Sequence, residues 1–520
     1  MPNWIIYIAA IYALIFASTY LIVFQRLLRF ALQDPNYEIV PKESIPPHLR
    51  ELFQQKVADL QVLGFTFCCC LLVKPIAGYA QNLENQVLMY HRSTKTYAAI
   101  SIRYPVESVN LFLIDFYTFF ADKTLLMTVN GRLHSVIDEI PNTIANDPYA
   151  PTLEAQWRSH EDKLLLNEAN KSIALPPEKF VQALEDLNRL YLDRMLQTQK
   201  IAQVADTEFF QLSWQVAWQT TVKLQRGIAK ANQMLKLQRE AAKSNPNLLI
   251  EVPIELEIES FYRVQQAHQG ILKRGFGIWL LLGSLVLFAA SFSLMQIPIN
   301  LIILIGVVFF HEAGHYLTMR LCGYADTSVF FIPFFGAAAT GRKQDASVRD
   351  KFLVLLGGPL PGLLIGSGLF LFSLHGAVYP DWLQETMFML IGLNLFNLLP
   401  IYPLDGGKIV DLVFFSRYPF TDVLFKVIAV IALLALSLSS PLLIGLAVVV
   451  AITIPSGFRS AKLFSNLRTE LKKSPTNDVN TLLATIFQAM RQFGHHNLPF
   501  AQRYNLAKTA LEGCDLNLIQ

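Results

Sequence analysis

Long apolar stretches alternate along this chain with mixed, charge-bearing ones. Runs of about 20 apolar residues, the length that crosses a hydrocarbon core, occupy Trp4–Phe24, Phe276–Met295, Ile297–Met319, Phe352–Leu374 and Thr386–Tyr402. Val423–Ile454 is longer and carries Ser437, Ser439, Ser440 and Pro441 at its middle. Two short helices forming a hairpin fit that stretch best, and one kinked helix is the alternative. Trp4–Phe24 exceeds the apolar core of a signal peptide and has no basic leader, which predicts a retained span. Counting the hairpin as two gives about seven spans.

Residues 25–272 follow a different pattern. Thr96–Tyr104 and Leu111–Phe120 read as strands, and Phe180, Leu184, Leu187 and Tyr191 recur at helical spacing behind Pro176 and Pro177. From Ile250 to Ile258 apolar residues alternate with Glu251, Pro253, Glu255 and Glu257, predicting a half-buried edge strand. The expected fold class is therefore a polytopic α-helical membrane protein with a soluble N-terminal α+β region and a short helical C-terminal tail. The domains expected are a transmembrane helix at 1–24, a water-exposed domain at 25–272, a membrane core at 273–457 and a helical region at 458–520.

Composition agrees with the spans. Of 520 residues, 53% are hydrophobic and only 16% charged, against about 25% in soluble domains. A net charge of +3 without a basic face argues against nucleic acid as a partner. The five cysteines include the run Cys68-Cys69-Cys70 and match no disulfide framework or C-x-x-C zinc pattern, so free thiols are expected. Basic residues fix the orientation. Arg26, Arg29, Lys273, Arg274, Arg342, Lys343, Arg349, Lys351, Lys408, Arg417, Arg459, Lys462 and Arg468 all fall on one face if the spans alternate. That face is the cytosolic one, and the opposite connections at 296–300 and 375–385 carry no Lys or Arg.

Candidate chemistry is confined to the membrane half. His311-Glu312-Ala313-Gly314-His315 lies inside an apolar span. Residues four apart on a helix sit about 40° apart around the axis, so both imidazoles can face one metal ion, with Glu312 beside a water on it. A catalytic zinc takes three protein ligands. Asp405, within Asn397-Leu-Leu-Pro400-Ile-Tyr-Pro403-Leu-Asp405-Gly406-Gly407, is the candidate third. Pro400 and Pro403 break the helix and the two glycines permit a tight turn, an arrangement tolerated at membrane depth only inside protein or beside a wet cavity.

These two motifs together resemble those of the site-2 protease family of intramembrane zinc metalloproteases, over about Phe276–Gly457. The resemblance implies one zinc ion per chain held by His311, His315 and Asp405, with Glu312 as general base. It implies that Asn397 assists at the substrate carbonyl and that the substrates are membrane-spanning proteins. Thr327–Thr340 looks like the membrane-embedded β-segment of that family, which makes Val329, Phe330, Phe331 and Gly336 candidate contacts for an extended substrate. Gly357-Gly358-Pro359-Leu-Pro361-Gly362 is similar to the family's Gly-Pro stretch, where small residues allow close helix packing. Several members carry a PDZ domain. None is recognisable here, and the sizeable N-terminal region is more like the photosynthetic-lineage branch. The expected setting is the bacterial plasma membrane or the thylakoid, with the active site near the cytosolic face.

Other classes fit less well. A prenyl-protein-type protease needs a downstream Glu ligand with spaced His, and no such Glu-rich helical motif follows Ile297–Met319. A transporter with a non-catalytic metal site should display inverted repeats. A polytopic scaffold has no use for the full set of His311, Glu312, His315 and Asp405. The remaining histidines, His495-His496 included, lack ligand-type neighbours at metal spacing.

Overall fold

The computed structural model describes residues 19–20, 23–28, 30–78, 83–131, 137–167, 170–205, 207–245, 249–269, 277–294, 300–332, 336–343, 346–415, 419–437, 442–473 and 478–518. Most of the expected first span, Trp4–Phe24, lies outside them. The chain divides into two compact units, one built from Ser18–Arg274 and Asp478–Ala507, the other centred on Gly275–Asn477.

The first unit holds a seven-stranded sheet covered on both faces and a smaller four-stranded one. Its strands are β1 (Ala31–Leu32), β2 (Asn36–Val40), β3 (Thr66–Lys74), β4 (Ala77–Gly78), β5 (Glu84–His91), β6 (Thr96–Ile102), β7 (Phe112–Phe119), β8 (Leu125–Thr128), β9 (Thr143–Asn146), β10 (Ile201–Gln203) and β11 (Phe210–Leu212). Seven of them form one sheet in the order β2-β3-β5-β6-β7-β8-β9, antiparallel except for the last pair. The other four form the smaller sheet, in the order β10-β11-β1-β4. Helix α1 (Pro47–Val62) links β2 to β3, and α2 (Leu153–Leu166) and α3 (Pro177–Gln197) follow β9. Tyr97, Phe119 and Met127 pack on Phe180, Val181 and Leu184 of α3. The other face packs Phe116 against Trp157 and His160 of α2. With both faces covered, every residue of β6 is buried, which is why Thr96–Ile102 reads as a continuous run rather than an alternation. The expected strands and the helix behind Pro176 thus form, and Cys68, Cys69, Cys70 and Cys322 are free.

The strand expected at Ile250–Ile258 is a helix from Ile254 onward. After α4 (Trp214–Ser244), α5 runs Ile254–Gln269. Proline is suited to a helix start, and Glu255 and Glu257 favour its first turn. Leu256, Glu257, Ser260 and Phe261 are buried, a helical stripe. The charge of Glu257 is met by Arg503, 246 residues away, whose guanidinium bonds both its carboxylate and the Val106 carbonyl.

The second unit is helical around one hairpin. Helix α6 (Gly277–Leu294) precedes α7 (Leu301–Leu321), which Asn300 caps by accepting from the Ile303 N–H. Strands β12 (Ala325–Ile332) and β13 (Gly336–Arg342) pair antiparallel. Then come α8 (Val348–Gly357), α9 (Pro359–Leu374), α10 (Asp381–Asn397), the short α11 (Asp405–Val410), α12 (Pro419–Leu436) and α13 (Leu442–Lys473). Among the described residues, three helical stretches are long and apolar enough to cross a membrane: Leu301–Leu321, Val348–Leu374 and Ile444–Leu467. Their outward faces carry exposed Ile302, Leu321, Leu364, Leu371 and Ile452, suited to lipid rather than water.

The apolar stretch around 423–454 forms two helices, as the hairpin reading expects, packed together through Leu433, Ala447 and Val450. The second continues through the expected boundary at 457 to Lys473. The 458–520 region is not one body. Helix α14 (Val479–Gln492) and the first turns of α15 (Phe500–Leu518) belong with the β-sheet unit, where Leu483, Ile486, Phe487 and Arg503 are buried.

Candidate metal centre

Helix α7 presents His311, Glu312 and His315 inward, all buried, and one ligand atom from each lies within 4.8 Å of the others. Asp405 arrives from the other side of the chain. Helix α10 ends at Asn397, the backbone turns through Pro400–Leu404, and Asp405 opens α11. A Cβ on Gly406 would stand 2.1 Å from the Leu398 carbonyl oxygen, and one on Gly407 2.4 Å from the Ile401 carbonyl carbon. Only glycines let α11 seat directly on the preceding turn.

The result is a compact triangle. His311 Nε2 and His315 Nε2 are 3.2 Å apart, and Asp405 Oδ2 is 3.1 Å from the first and 3.0 Å from the second. The other carboxylate oxygen, Oδ1, accepts from Lys408 Nζ at 3.3 Å. Glu312 lies beside the imidazole pair, where its carboxylate also meets the Ala339 N–H of β13.

The outer contacts fix the protons. His315 Nδ1 is 2.7 Å from the Val354 carbonyl, which can only accept, so Nδ1 carries the hydrogen. His311 Nδ1 is 2.7 Å from Asn394 Oδ1. In neutral rings both Nε2 atoms then hold lone pairs aimed at a carboxylate oxygen. Three electron-rich atoms facing one another in a buried site call for a cation among them. Zinc binds imidazole nitrogen at about 2.0–2.1 Å and carboxylate oxygen from about 2.0 Å, which at those lengths separates tetrahedral ligands by about 3.3–3.4 Å. The triangle is within about 0.3 Å of that, and two imidazoles with one carboxylate form a known catalytic zinc donor class. The residues present fit the ion.

The Gly-Pro stretch is the close neighbour of this centre. A Cβ on Gly314 would meet the Gly357 carbonyl at 2.2 Å, one on Gly358 would meet His315 Nε2 at 2.2 Å, and one on Gly362 would meet Asn394 Nδ2 at 2.3 Å. Glycine here makes room for the His315 ring and for the Asn394 amide behind the His311 ring.

Other expected site residues lie elsewhere. Asn397 is half-buried at the end of α10, and the asparagine against His311 is Asn394, one turn earlier. Sequence reasoning passed over Asn394, a polar residue within the apolar run 386–402 that the structure buries fully. Val329, Phe330 and Gly336 are half-buried along the hairpin. Phe331 instead belongs to the core, packed on Phe288 with its N–H donated to Ser284 Oγ at 2.9 Å, because β12 leans on α6. Pro333, Phe334 and Phe335 lie outside the described residues.

With this geometry in hand, relatives become informative. The family model for peptidase family M50 matches residues 299–386, the stretch that carries α7, the hairpin and α9. Stage IV sporulation protein FB of Bacillus subtilis is 28% identical over 120 residues. Over this stretch the chain is similar to peptidase family M50, the site-2 protease type. The "Putative zinc metalloprotease Rip3" of Mycobacterium tuberculosis is 30% identical over 125 residues. These matches cover 23% and 22% of this chain, and 42% and 31% of the two relatives, so the chain spans less than half the length of either. The solved site-2 protease from Methanocaldococcus jannaschii is similar over 34% of this chain and 88% of its own, at 21% identity and a TM-score of 0.26. The family model's match lies within the second unit, and residues 18–274 lie outside it.

Proposed function

We propose that this chain is an intramembrane zinc metalloendopeptidase that hydrolyses peptide bonds of membrane-spanning proteins. The observation that carries it is the convergence of His311 Nε2, His315 Nε2 and Asp405 Oδ2 at 3.0–3.2 Å, with Glu312 alongside. One Zn2+ per chain would be held by those three residues. When bound, it supplies Lewis acidity to a water and to the scissile carbonyl.

The protein groups do the rest. Glu312 takes the proton of the attacking water and returns it to the leaving amine, a transfer worth roughly 100- to 10,000-fold in rate. Asn397, at the mouth of the Pro400–Leu404 turn, assists at the carbonyl oxygen. Val329, Phe330 and Gly336 line the hairpin against which an extended substrate segment pairs, while Phe331 anchors that hairpin to α6. A peptide bond inside an intact helix is shielded by its own hydrogen bonds, so substrates must unwind near the cut. Lys408, partly exposed beside Asp405, marks the polar side from which water enters. The proposed topology has about seven spans, with the centre near the cytosolic face of a bacterial plasma membrane or thylakoid.

Cells carrying the intact chain and cells carrying Glu312→Gln test this, with zinc measured on each purified protein. The expected outcome is that Glu312→Gln keeps its zinc while uncut single-span fragments accumulate, and that Asp405→Ala loses both zinc and cleavage. An intact protein without zinc, or full cleavage by Glu312→Gln, sinks the proposal.

A further inference from the structure

We propose that Asn394 is a positioning residue, one that holds His311 in the tautomer that leaves its Nε2 free for the metal and thereby sets the affinity of the site. The proposal rests on His311, His315 and Asp405 holding a metal.

The deduction starts from an acceptor. Asn394 Nδ2 stands 2.7 Å from the Leu390 carbonyl. A carbonyl can only accept, so the NH2 end of the amide faces it and the oxygen end faces His311. That oxygen, 2.7 Å from His311 Nδ1, can only accept in turn. The hydrogen of the neutral ring is therefore on Nδ1 and the lone pair on Nε2, where Asp405 and His315 converge. Both ends of the amide are used, and Asn394 is 0% exposed, so no water competes for either end. The surroundings keep the amide in place. Gly362 leaves the space that Nδ2 occupies, since a Cβ there would stand 2.3 Å away. The two ligand rings are thus held differently: His315 by a backbone carbonyl that mutation cannot remove, His311 by a single side chain. Asn394 is the replaceable half of the arrangement. Partners of this kind typically change metal affinity by about 10- to 100-fold when removed.

The full-length protein purified in detergent provides the test. Zinc affinity of the intact protein, Asn394→Leu and Asn394→Asp is measured by competition with a chromophoric chelator. Cobalt(II) spectra report the ligand geometry, and thermal unfolding of the metal-free forms reports folding. Asn394→Leu is expected to bind zinc about 10- to 100-fold more weakly, with an altered cobalt spectrum and little change in metal-free unfolding. Asn394→Asp keeps an acceptor for the Nδ1 hydrogen and should stay close to the intact affinity. If Asn394→Leu does not fold, Gly362→Ala serves, because it displaces the amide while leaving the residue present, and the same loss is expected. Intact affinity in Asn394→Leu or in Gly362→Ala overturns the role of Asn394 while leaving the metal centre standing. An intact protein that takes up no zinc overturns both.

Discussion

Replacing Gly358 by alanine should weaken zinc binding at the candidate centre, and the structure gives the size of the disturbance. An added Cβ would stand 2.2 Å from His315 Nε2, 2.5 Å from its Cε1 and 2.6 Å from its Cδ2. Ordinary van der Waals contact begins at 3.4 Å, so the ring or the backbone must give by about 1.2 Å, the difference of those distances. The ring is held at its far side by the Val354 carbonyl, on the same helix that ends at Gly357, so it has little room to retreat. Metal–ligand distances tolerate only about 0.2 Å. Overpacking costs typically about 1–3 kcal/mol, which converts to roughly 5- to 150-fold in zinc affinity. The assay is zinc competition against a chelator, with Gly368→Ala and Gly392→Ala as controls, since a Cβ at either position meets nothing within 4 Å. Wild-type zinc affinity in Gly358→Ala would refute the packing account, and an equal loss in the controls would refute its locality.

Two predictions concern the other unit. Burial pushes the His160 imidazole down to about 3, between hydroxyls of Thr118 and Thr128 at 3.0 and 2.7 Å. A depressed imidazole contributes stability that is complete above pH 6.5 and is lost as pH falls toward about 3, at up to about 1.4 kcal/mol per pH unit. Unfolding followed by tryptophan fluorescence should therefore be less acid-sensitive across that window in His160→Gln than in the intact protein, and identical slopes would count against it. Arg503→Met leaves Glu257 buried without its main partner and should cost about 3–5 kcal/mol, whereas adding Glu257→Leu should recover most of it. Denaturant titration of both variants decides, and a double variant no better than the single one contradicts the pairing.

What the sequence made legible was local. The strands Thr96–Tyr104 and Leu111–Phe120 and the helix behind Pro176 carry their own patterns, and each forms. The stretch from Ile250 fails as a strand for a physical reason. Its alternation satisfies a period of two over a few residues, but Leu256, Glu257, Ser260 and Phe261 satisfy a helical stripe once Glu257 can be buried. That burial depends on Arg503, and nothing near Glu257 in the chain announces a partner 246 residues on. The same long-range contact explains why 478–507 folds with the sheet unit rather than standing apart as a tail.

The metal centre divides along the same line. His311, Glu312 and His315 are one helical turn of sequence, and Asp405 is a lone acid in a broken apolar segment, so all four can be nominated on paper. The parts that prepare them cannot. Val354 contributes through its carbonyl, a group every residue has, and only the packing of α8 on α7 makes that one matter. Gly358 and Gly362 read as small residues for close helix approach, yet what they approach, His315 and Asn394, appears only in three dimensions. Asn394 sits three residues before Asn397 on the same helix, and a motif draws the eye to the second. The first is the one buried, bonded at both ends and turned toward a ligand ring. A polar side chain that far inside an apolar helix costs free energy unless both its ends are paired. Here both are, and one of the partners is a candidate metal ligand. On the proposed reading, then, the motif residues nominate the chemistry, while metal affinity is set by neighbours that accept a hydrogen bond and leave space.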